Sequence, residues 1–249
     1  MKASEAAPRW LLIGNSRWHC ARPEGTGLHC WSEASGRPGT IGSSQGPQLG
    51  LLLGWAAVGP LPEDAALDQG CRIGLSRVPL QRMPSWLGVD RALVGWQAWR
   101  RSGTAVLVAD AGTALSLTLV DGEGRFRGGR IQAGLALQLQ ALASGTAQLP
   151  VVPAVTPELG LAPGASPSDP WPTVTAEAMA LGVAEGLVAA VAEAWRQARS
   201  SEPGCRLWIT GGDGARIAAR LNCPYQPWLA LEALAGLCPV SELRSGPDR

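Results

Sequence analysis

Lysine is nearly missing from this chain: its 249 residues contain one, Lys2, near the N-terminal end. Walker-type phosphate loops and protein kinases both set a lysine at the nucleotide's phosphates, and Schiff-base chemistry needs one as nucleophile. A lone tail lysine excludes all three. Any phosphate bound here is held by backbone N–H groups, hydroxyls, arginine or a cation. Charge is sparse as well. Charged residues make up 16% of the chain and the formal net charge is +1, so no strong field points toward nucleic acid or an anionic membrane. The eleven tryptophans are scattered and form no basic–aromatic stripe of the nucleic-acid type. No unbroken apolar run reaches the roughly 18 residues of a spanning helix. Met1 to Arg9 is polar and lacks the apolar core of a signal peptide. The expectation is a cytoplasmic protein with neither nucleic acid nor membrane as partner.

The six cysteines, Cys20, Cys30, Cys71, Cys205, Cys223 and Cys238, include no C-x-x-C pair. His19-Cys20 and His29-Cys30 are the only soft ligands adjacent in sequence, and structural zinc wants four ligands at tighter spacing. They read as buried, reduced thiols.

What is present is a chain rich enough in apolar residues, 46%, and long enough to bury one large core or two small ones. Trp10 to Ile13, the turn Gly14-Asn15-Ser16, and Arg17 to Ala21 read as strand, turn, strand. Arg22 to Gly50 is rich in Gly, Ser and Pro and predicts loops with a short strand or two. Leu51 to Val58 is strand-like, Glu63 to Gln69 predicts a helical turn or two, and Val89 to Arg101 has helical spacing. Ala105 to Val108 predicts a buried strand ending before Asp110-Ala111-Gly112-Thr113. Leu115 to Leu119 alternates with period two, and Arg125 to Ile131 returns as a further strand, with Arg125 and Arg127 read as surface. Gly134 to Ser144 and Thr175 to Arg199 predict helices, Pro150 to Pro172 a loop, Arg206 to Ile209 a strand, and Leu229 to Leu237 a last helix.

Two segments share one plan: an apolar strand, a tight turn with glycine and a hydroxyl residue, then a second strand. They are Leu11 to Ser16 and Val108 to Thr113. A near-repeat half a chain apart predicts a duplicated unit with its boundary near Ser102-Gly103. Such turns aim backbone N–H groups into a concavity and form anion nests that need no lysine. Thr210-Gly211-Gly212 is a third candidate, or a plain strand-ending turn. Asp110 beside bound phosphate would be repelled unless a cation intervened, so it predicts a cation or else caps the turn. In Gly88-Val89-Asp90-Arg91 an acid and a base stand together at a helix start. The carboxylate could take a proton from a hydroxyl and the arginine could clamp a carboxylate, or the pair is a helix cap with a surface ion pair.

These residues resemble a known family. Asp110-Ala111-Gly112-Thr113-Ala114, Gly128-Gly129-Arg130-Ile131, Gly134, Ala141-Leu142 and Thr146 to Pro150 look like the central signature of type III pantothenate kinases, in the actin/Hsp70/sugar-kinase superfamily. Gly88 to Arg91 matches the family's G-x-D-R motif. Ile13-Gly14-Asn15-Ser16 resembles the end of its D-x-G-N-T motif. Thr175 with Ala178 and Gly182, and Thr210-Gly211-Gly212, fit its later motifs. The order is the family's and the matches run from Leu11 to Leu237.

The resemblance implies an α/β fold of two ribonuclease-H-like (actin-like ATPase) domains, residues 9–102 and 103–249, with a cleft between them. It implies a homodimer that transfers the ATP γ-phosphate to pantothenate, the first step of coenzyme A synthesis. The cofactors would be a monovalent cation, K+ or NH4+, and Mg2+ with ATP. Asp90 would be the general base; Gly88, Val89, Asp90, Arg91 and Thr175 would bind pantothenate. Leu12, Ile13, Gly14, Asn15, Ser16, Arg17, Trp18, His19 and Thr113 would bind ATP, and Asp110 would hold the monovalent cation. The chain departs from the pattern where the first motif's aspartate is Leu12, which cannot bind magnesium or its water shell. Ser16, Ala133 and Val174 replace a threonine, a proline and an asparagine. Leu12 leaves room for a non-catalytic or regulatory homologue on the same scaffold; the retained Asp90, Arg91, Asp110 and Thr113 favour an active enzyme.

Overall fold

The computed structural model describes residues 9–34, 52–59, 61, 67–153 and 170–240. The chain divides into two compact units, one of Met1–Gln97 with Trp228–Arg249, the other of Ala98–Pro227.

In the first unit, β1 (Trp10–Ile13), β2 (Arg17–Glu24), β3 (Gly27–Ala34) and β4 (Gly54–Ala57) form a sheet in the order β3-β2-β1-β4. β1 runs antiparallel to β2 and parallel to β4, which sets Leu12 between His19 and Ala56. All four residues of β1 are buried, as expected of a central strand covered on both faces. Leu11, Ile13, Trp18, Cys20 and Trp55 are among the core residues. The indole N–H of Trp55 donates to the Asp68 carbonyl at 2.7 Å, so this buried ring leaves no donor unmet. The helix α1 (Val89–Ser102) buries Ala92, Leu93, Val94 and Trp96. The last helix, α5 (Leu229–Leu237), packs on β1 and β4, and Trp10 Nε1 donates to the Cys238 carbonyl at 2.9 Å. Most of the helical turn expected over Glu63 to Gln69 lies outside the described residues; Gln69 itself opens a 3-10 turn, Gln69–Cys71, capped by Asp68.

In the second unit, β5 (Val106–Ala111), β6 (Ala114–Val120), β7 (Phe126–Ala133) and β8 (Arg206–Thr210) form a sheet in the order β7-β6-β5-β8. β5 is antiparallel to β6 and parallel to β8. The near-repeat seen in the sequence is thus matched by two sheets with the same strand order and directions. The helices are α2 (Leu135–Gly145), α3 (Thr175–Ser201) and α4 (Gly214–Leu221). α3 buries Met179, Ala180, Val183, Leu187, Val191, Ala194 and Ala198, a stripe at helical spacing that packs toward β5, β6, α2 and α4.

Four readings of the sequence need correction. First, β5 continues through Ala111, so Asp110 lies within the strand, opposite Ser116 and Thr210, rather than after it. Second, Arg125 and Arg127 are not plain surface: both reach Asp121, which is 1% exposed. Asp121 Oδ1 accepts from the Glu123 and Arg125 backbone N–H groups at 3.1 and 3.0 Å, and Oδ2 from Arg125 Nε at 2.8 Å. Burial alone would raise the Asp121 carboxyl, but these donors together hold it below its ordinary value. Third, α3 is long and apolar enough to cross a membrane by length and composition, although no unbroken apolar run was found. Its stripe in the core is the structural use of that apolarity. Fourth, α4 was not foreseen; Ile217 and Ala218 anchor it and Asn222, at φ 50°, ends it in the left-handed region. Among the described residues no three His, Cys, Asp or Glu side chains gather where they could hold a metal, and none of the six cysteines is in a disulfide.

Candidate active site

In the first unit the motif residues meet at the end of β1. The turn after it closes through the Gly14 N–H and the Arg17 carbonyl, 2.9 Å apart. The chain leaving β4 folds over this turn: Val58 and Gly59 N–H both donate to the Ile13 carbonyl, at 3.0 and 3.3 Å. A Cβ on Gly59 would stand 2.3 Å from the Gly14 oxygen, so only glycine allows this approach. Leu12, Ile13 and Trp18 bury their side chains, which leaves only their backbone groups to meet a ligand. Asn15, Ser16 and Arg17 are exposed. The ring of His19 shares a hydrogen bond with Ser32 Oγ at 2.7 Å, and burial, then the charge of Arg17, lowers its proton affinity below the usual.

Beside this turn sits the head of α1. A Cβ on Gly88 would lie 3.8 Å from Val58 Cγ1 and 2.5 Å from Asp90 Oδ1. The Asp90 carboxylate therefore folds back over Gly88, and a side chain there would displace it. Its Oδ1 accepts from the Arg91 N–H at 2.8 Å. Burial raises the Asp90 carboxyl above its ordinary value; the backbone donors and the Arg91 charge pull the other way and lose. Arg91 is 7% exposed, with burial lowering its guanidinium's proton affinity and the Asp90 charge opposing. Val89 is buried.

The second unit builds a comparable end on β5. Asp110 Oδ1 lies 2.5 Å from where a Gly211 Cβ would stand, and the Ala111 carbonyl 2.4 Å from it. Gly211, at φ 86°, is the residue that such crowding and such backbone both demand. A Cβ on Gly134 would come within 2.0 Å of the Gly112 oxygen, and the Gly134 N–H donates to the Thr113 carbonyl at 3.0 Å. Thr113 is exposed beside this glycine cluster, and Thr175 is exposed at the head of α3. Thr210 is 3% exposed.

Three residues of these ends, Gly59, Tyr225 and Asp213, were not found by sequence reasoning. Gly59 gave no signal, because its reason is an approach by a strand distant in sequence. Tyr225 donates its hydroxyl to the Gly211 carbonyl at 2.8 Å; burial first, then the charges of Asp110 and Asp213, raise this phenol. Asp213, whose N–H donates to the Ala111 carbonyl at 2.9 Å, is raised by burial against the opposing charge of Arg216. The D-G that follows Thr210-Gly211-Gly212 was the only hint of that pair.

Each unit thus ends a central strand in a glycine-lined turn of main-chain donors. The first adds a carboxylate raised by burial, the second a carboxylate and an exposed hydroxyl. Main-chain donors and carboxylates are groups that phosphoryl transfer uses. Comparison with known proteins decides the family. Residues 70–197 match the type III pantothenate kinase family. A type III pantothenate kinase of Thermosynechococcus vestitus is 36% identical over 215 residues, covering 85% of this chain and 80% of that protein. One from Synechococcus elongatus is 33% identical over 256 residues, covering 96% and 98%.

This chain belongs to the type III pantothenate kinase family. The family match takes in Gly88 to Arg91, Asp110 to Thr113, Gly134 and Thr175, while Leu12 to His19 precede it. Among solved structures, a Campylobacter jejuni protein named for the Baf family of transcriptional activators shares the fold. It superposes with a TM-score of 0.56 at 16% identity, covering 95% of this chain and 99% of that one. The fold class implied by the sequence resemblance, α/β with two ribonuclease-H-like units, is the one found.

Proposed function

We propose that this type III pantothenate kinase moves the γ-phosphoryl group of ATP onto the primary hydroxyl of pantothenate, yielding 4'-phosphopantothenate and ADP, the entry to coenzyme A synthesis. The observation that carries the reading is Asp90, folded over Gly88 at the head of α1 and raised by burial, in a chain of this family. A carboxylate so poised takes the hydroxyl proton as the oxygen forms its bond to the γ-phosphorus, while the P–O bond to ADP breaks and the electron pair leaves with ADP. Arg91, nearly buried, suits a desolvated carboxylate such as that of pantothenate. Gly88, Val89 and Thr175 complete the pantothenate set. Backbone groups of Leu12 to His19, with Thr113, hold the nucleotide's phosphates.

The donors fit hard cations. Asp110 and Thr113 offer only oxygen, the ligand type that potassium, ammonium and magnesium take. Asp110 would hold the monovalent ion, and magnesium would ride on the nucleotide, since Leu12 is 7% exposed and brings no donor. Bound there, the ions would neutralise charge gathering on the phosphoryl oxygens. Ile131, Leu137, Val151, Trp171 and Val174 are large apolar side chains left exposed in the second unit, as a homodimer interface would leave them in a single protomer. The protein works in the cytoplasm.

The test is ADP release in a coupled assay with and without pantothenate, each with and without potassium. ADP formation that requires pantothenate and rises with potassium is the expected result. Release indifferent to pantothenate would remove the kinase assignment.

A further inference from the structure

A cavity of about 560 Å³ opens in the second unit on the outer side of β8, between the end of α3 and residues 222–226. Its walls include two indoles, Trp195 and Trp208. Both ring N–H groups are already used: Trp195 donates to the Cys205 carbonyl at 3.2 Å and Trp208 to Ser102 Oγ at 2.8 Å. The rings are therefore fixed, and they offer faces rather than donors. A guanidinium stands over each. Arg199 lies 5.5 Å from the Trp195 centroid and Arg101 4.8 Å from that of Trp208. Arg101 is further held by Gln226 Oε1 at 3.3 Å. Arg206, exposed at the first position of β8, joins Arg199 in the lining. Among the described residues no carboxylate lines the cavity, so its lining is net positive.

The cavity is separate from the proposed phosphoryl-transfer site. Arg206 begins β8 and Thr210 ends it, and a strand of that length sets them about 13 Å apart. No step proposed above uses any residue of its lining.

We infer that this cavity is a second ligand site, for a small planar aromatic molecule carrying a carboxylate, sulfonate or phosphate. The volume falls in the range of small-molecule sites, roughly 300–1,000 Å³. Indole faces favour a flat ring over an aliphatic chain, and guanidiniums stacked on those faces favour an anion over a neutral ring. An aliphatic anion would leave the indoles unused; a neutral aromatic would leave the arginines unused. The inference stands whether or not the chain phosphorylates pantothenate.

The experiment is a calorimetric titration of the full chain with naphthalene-1-sulfonate, beside the neutral 1-naphthalenemethanol and the aliphatic propane-1-sulfonate. A sulfonate probe avoids the phosphate-binding turns. The expected result is saturable binding of the aromatic sulfonate alone, weakened at least about tenfold when Arg199→Gln and Arg206→Gln are combined. Both side chains are exposed, so the double variant should keep the wild-type melting temperature and the wild-type rate of ADP formation. Quenching of tryptophan fluorescence should saturate at the same concentration as the heat signal. Equal affinity in the double variant, equal binding of the neutral ring, or no saturable binding at millimolar probe would each overturn the proposal. A second double variant, Arg199→Lys with Arg206→Lys, should retain part of the affinity; complete loss there with normal melting would also count against a site built on net positive charge.

Discussion

The ends of β1 and β5 are the same device with different fillings. Both strands pair antiparallel with the next strand and parallel with a later one. Both are crossed at the end by a glycine, Gly59 or Gly211, whose missing side chain lets two backbones touch. Two residues before the turn glycine the second unit carries Asp110 and the first carries Leu12. One end keeps a carboxylate beside a hydroxyl; the other has an apolar side chain, 7% exposed, in the position of that charge. The first unit instead brings its charge from elsewhere, through Asp90 folded over Gly88. Topology therefore preserves the main-chain cradle, while the chemistry attached to it is free to differ between copies. On the proposed function, the first unit supplies the base and the second the anchor for a cation.

The sharpest break in that division is Asp90→Asn. Turnover should fall by about 10²–10⁴-fold, the range for losing a positioned general base, while the melting temperature at neutral pH stays level or rises. The sign follows from the raised carboxyl. In the wild type, kcat/KM should drop as pH falls through the folded value of Asp90, at a pH above that of an ordinary carboxylate. Stability runs in the opposite sense: the contribution of Asp90 is full below its unfolded value and is lost as pH rises through the folded one. A pH–rate profile and a melt of both proteins measure the two halves, and a variant with normal turnover would strip Asp90 of its role.

Next in size is Asp110→Leu, which gives the second unit the filling of the first. Activity should fall by at least about 100-fold, and the remainder should ignore potassium. Stimulation by potassium that survives the change would detach the ion from this residue. The reverse exchange, Leu12→Asp, should lower the magnesium concentration at half-maximal rate by a few-fold, at a cost of about 1–3 kcal/mol in urea unfolding for a carboxylate placed where burial is nearly complete. An unaltered magnesium titration would mean that the first unit's strand end stays clear of the metal. The smallest catalytic effect belongs to Asp121→Ala. Unmet backbone donors in the β6–β7 turn should cost on the order of 2 kcal/mol in urea unfolding with kcat unchanged; a loss of kcat would mean that the turn reaches the site.

Much of this was legible because it is periodic or local. The alternation of Leu115 and Leu117 marked the buried face of β6, and α5 runs over the nine residues its apolar pattern marked. The bounds of α3 fall within two residues of expectation, with Glu177 in its first turn and Arg199 in its last as the charges that suit a helix's two ends. The candidate residues in G-x-D-R and D-A-G-T came from their resemblance to a family, and the family itself is the one that matches. What escaped depends on contacts between segments far apart. Gly59 is required by Gly14, some 45 positions earlier, and Tyr225 by Gly211. Asp121 resembled any turn aspartate, and only burial reveals that it gathers Arg125 and Arg127. α4 hid behind three glycines that read as a loop, although its single apolar face, with Ile217 at the centre, is what seats it.

The return of α5 to β1 and β4 has a consequence for how the protein is made. The ribosome releases the first sheet early, yet the helix that covers it, and the Cys238 carbonyl that meets the Trp10 indole, emerge only after residues 98–227. Residues 98–227, by contrast, are complete before that helix exists. Maturation should therefore run inside out along the gene, the later half setting first and the earlier one waiting for its closing piece. A stop codon placed just upstream of Trp228 would leave a finished second unit tethered to an N-terminal sheet without its cover.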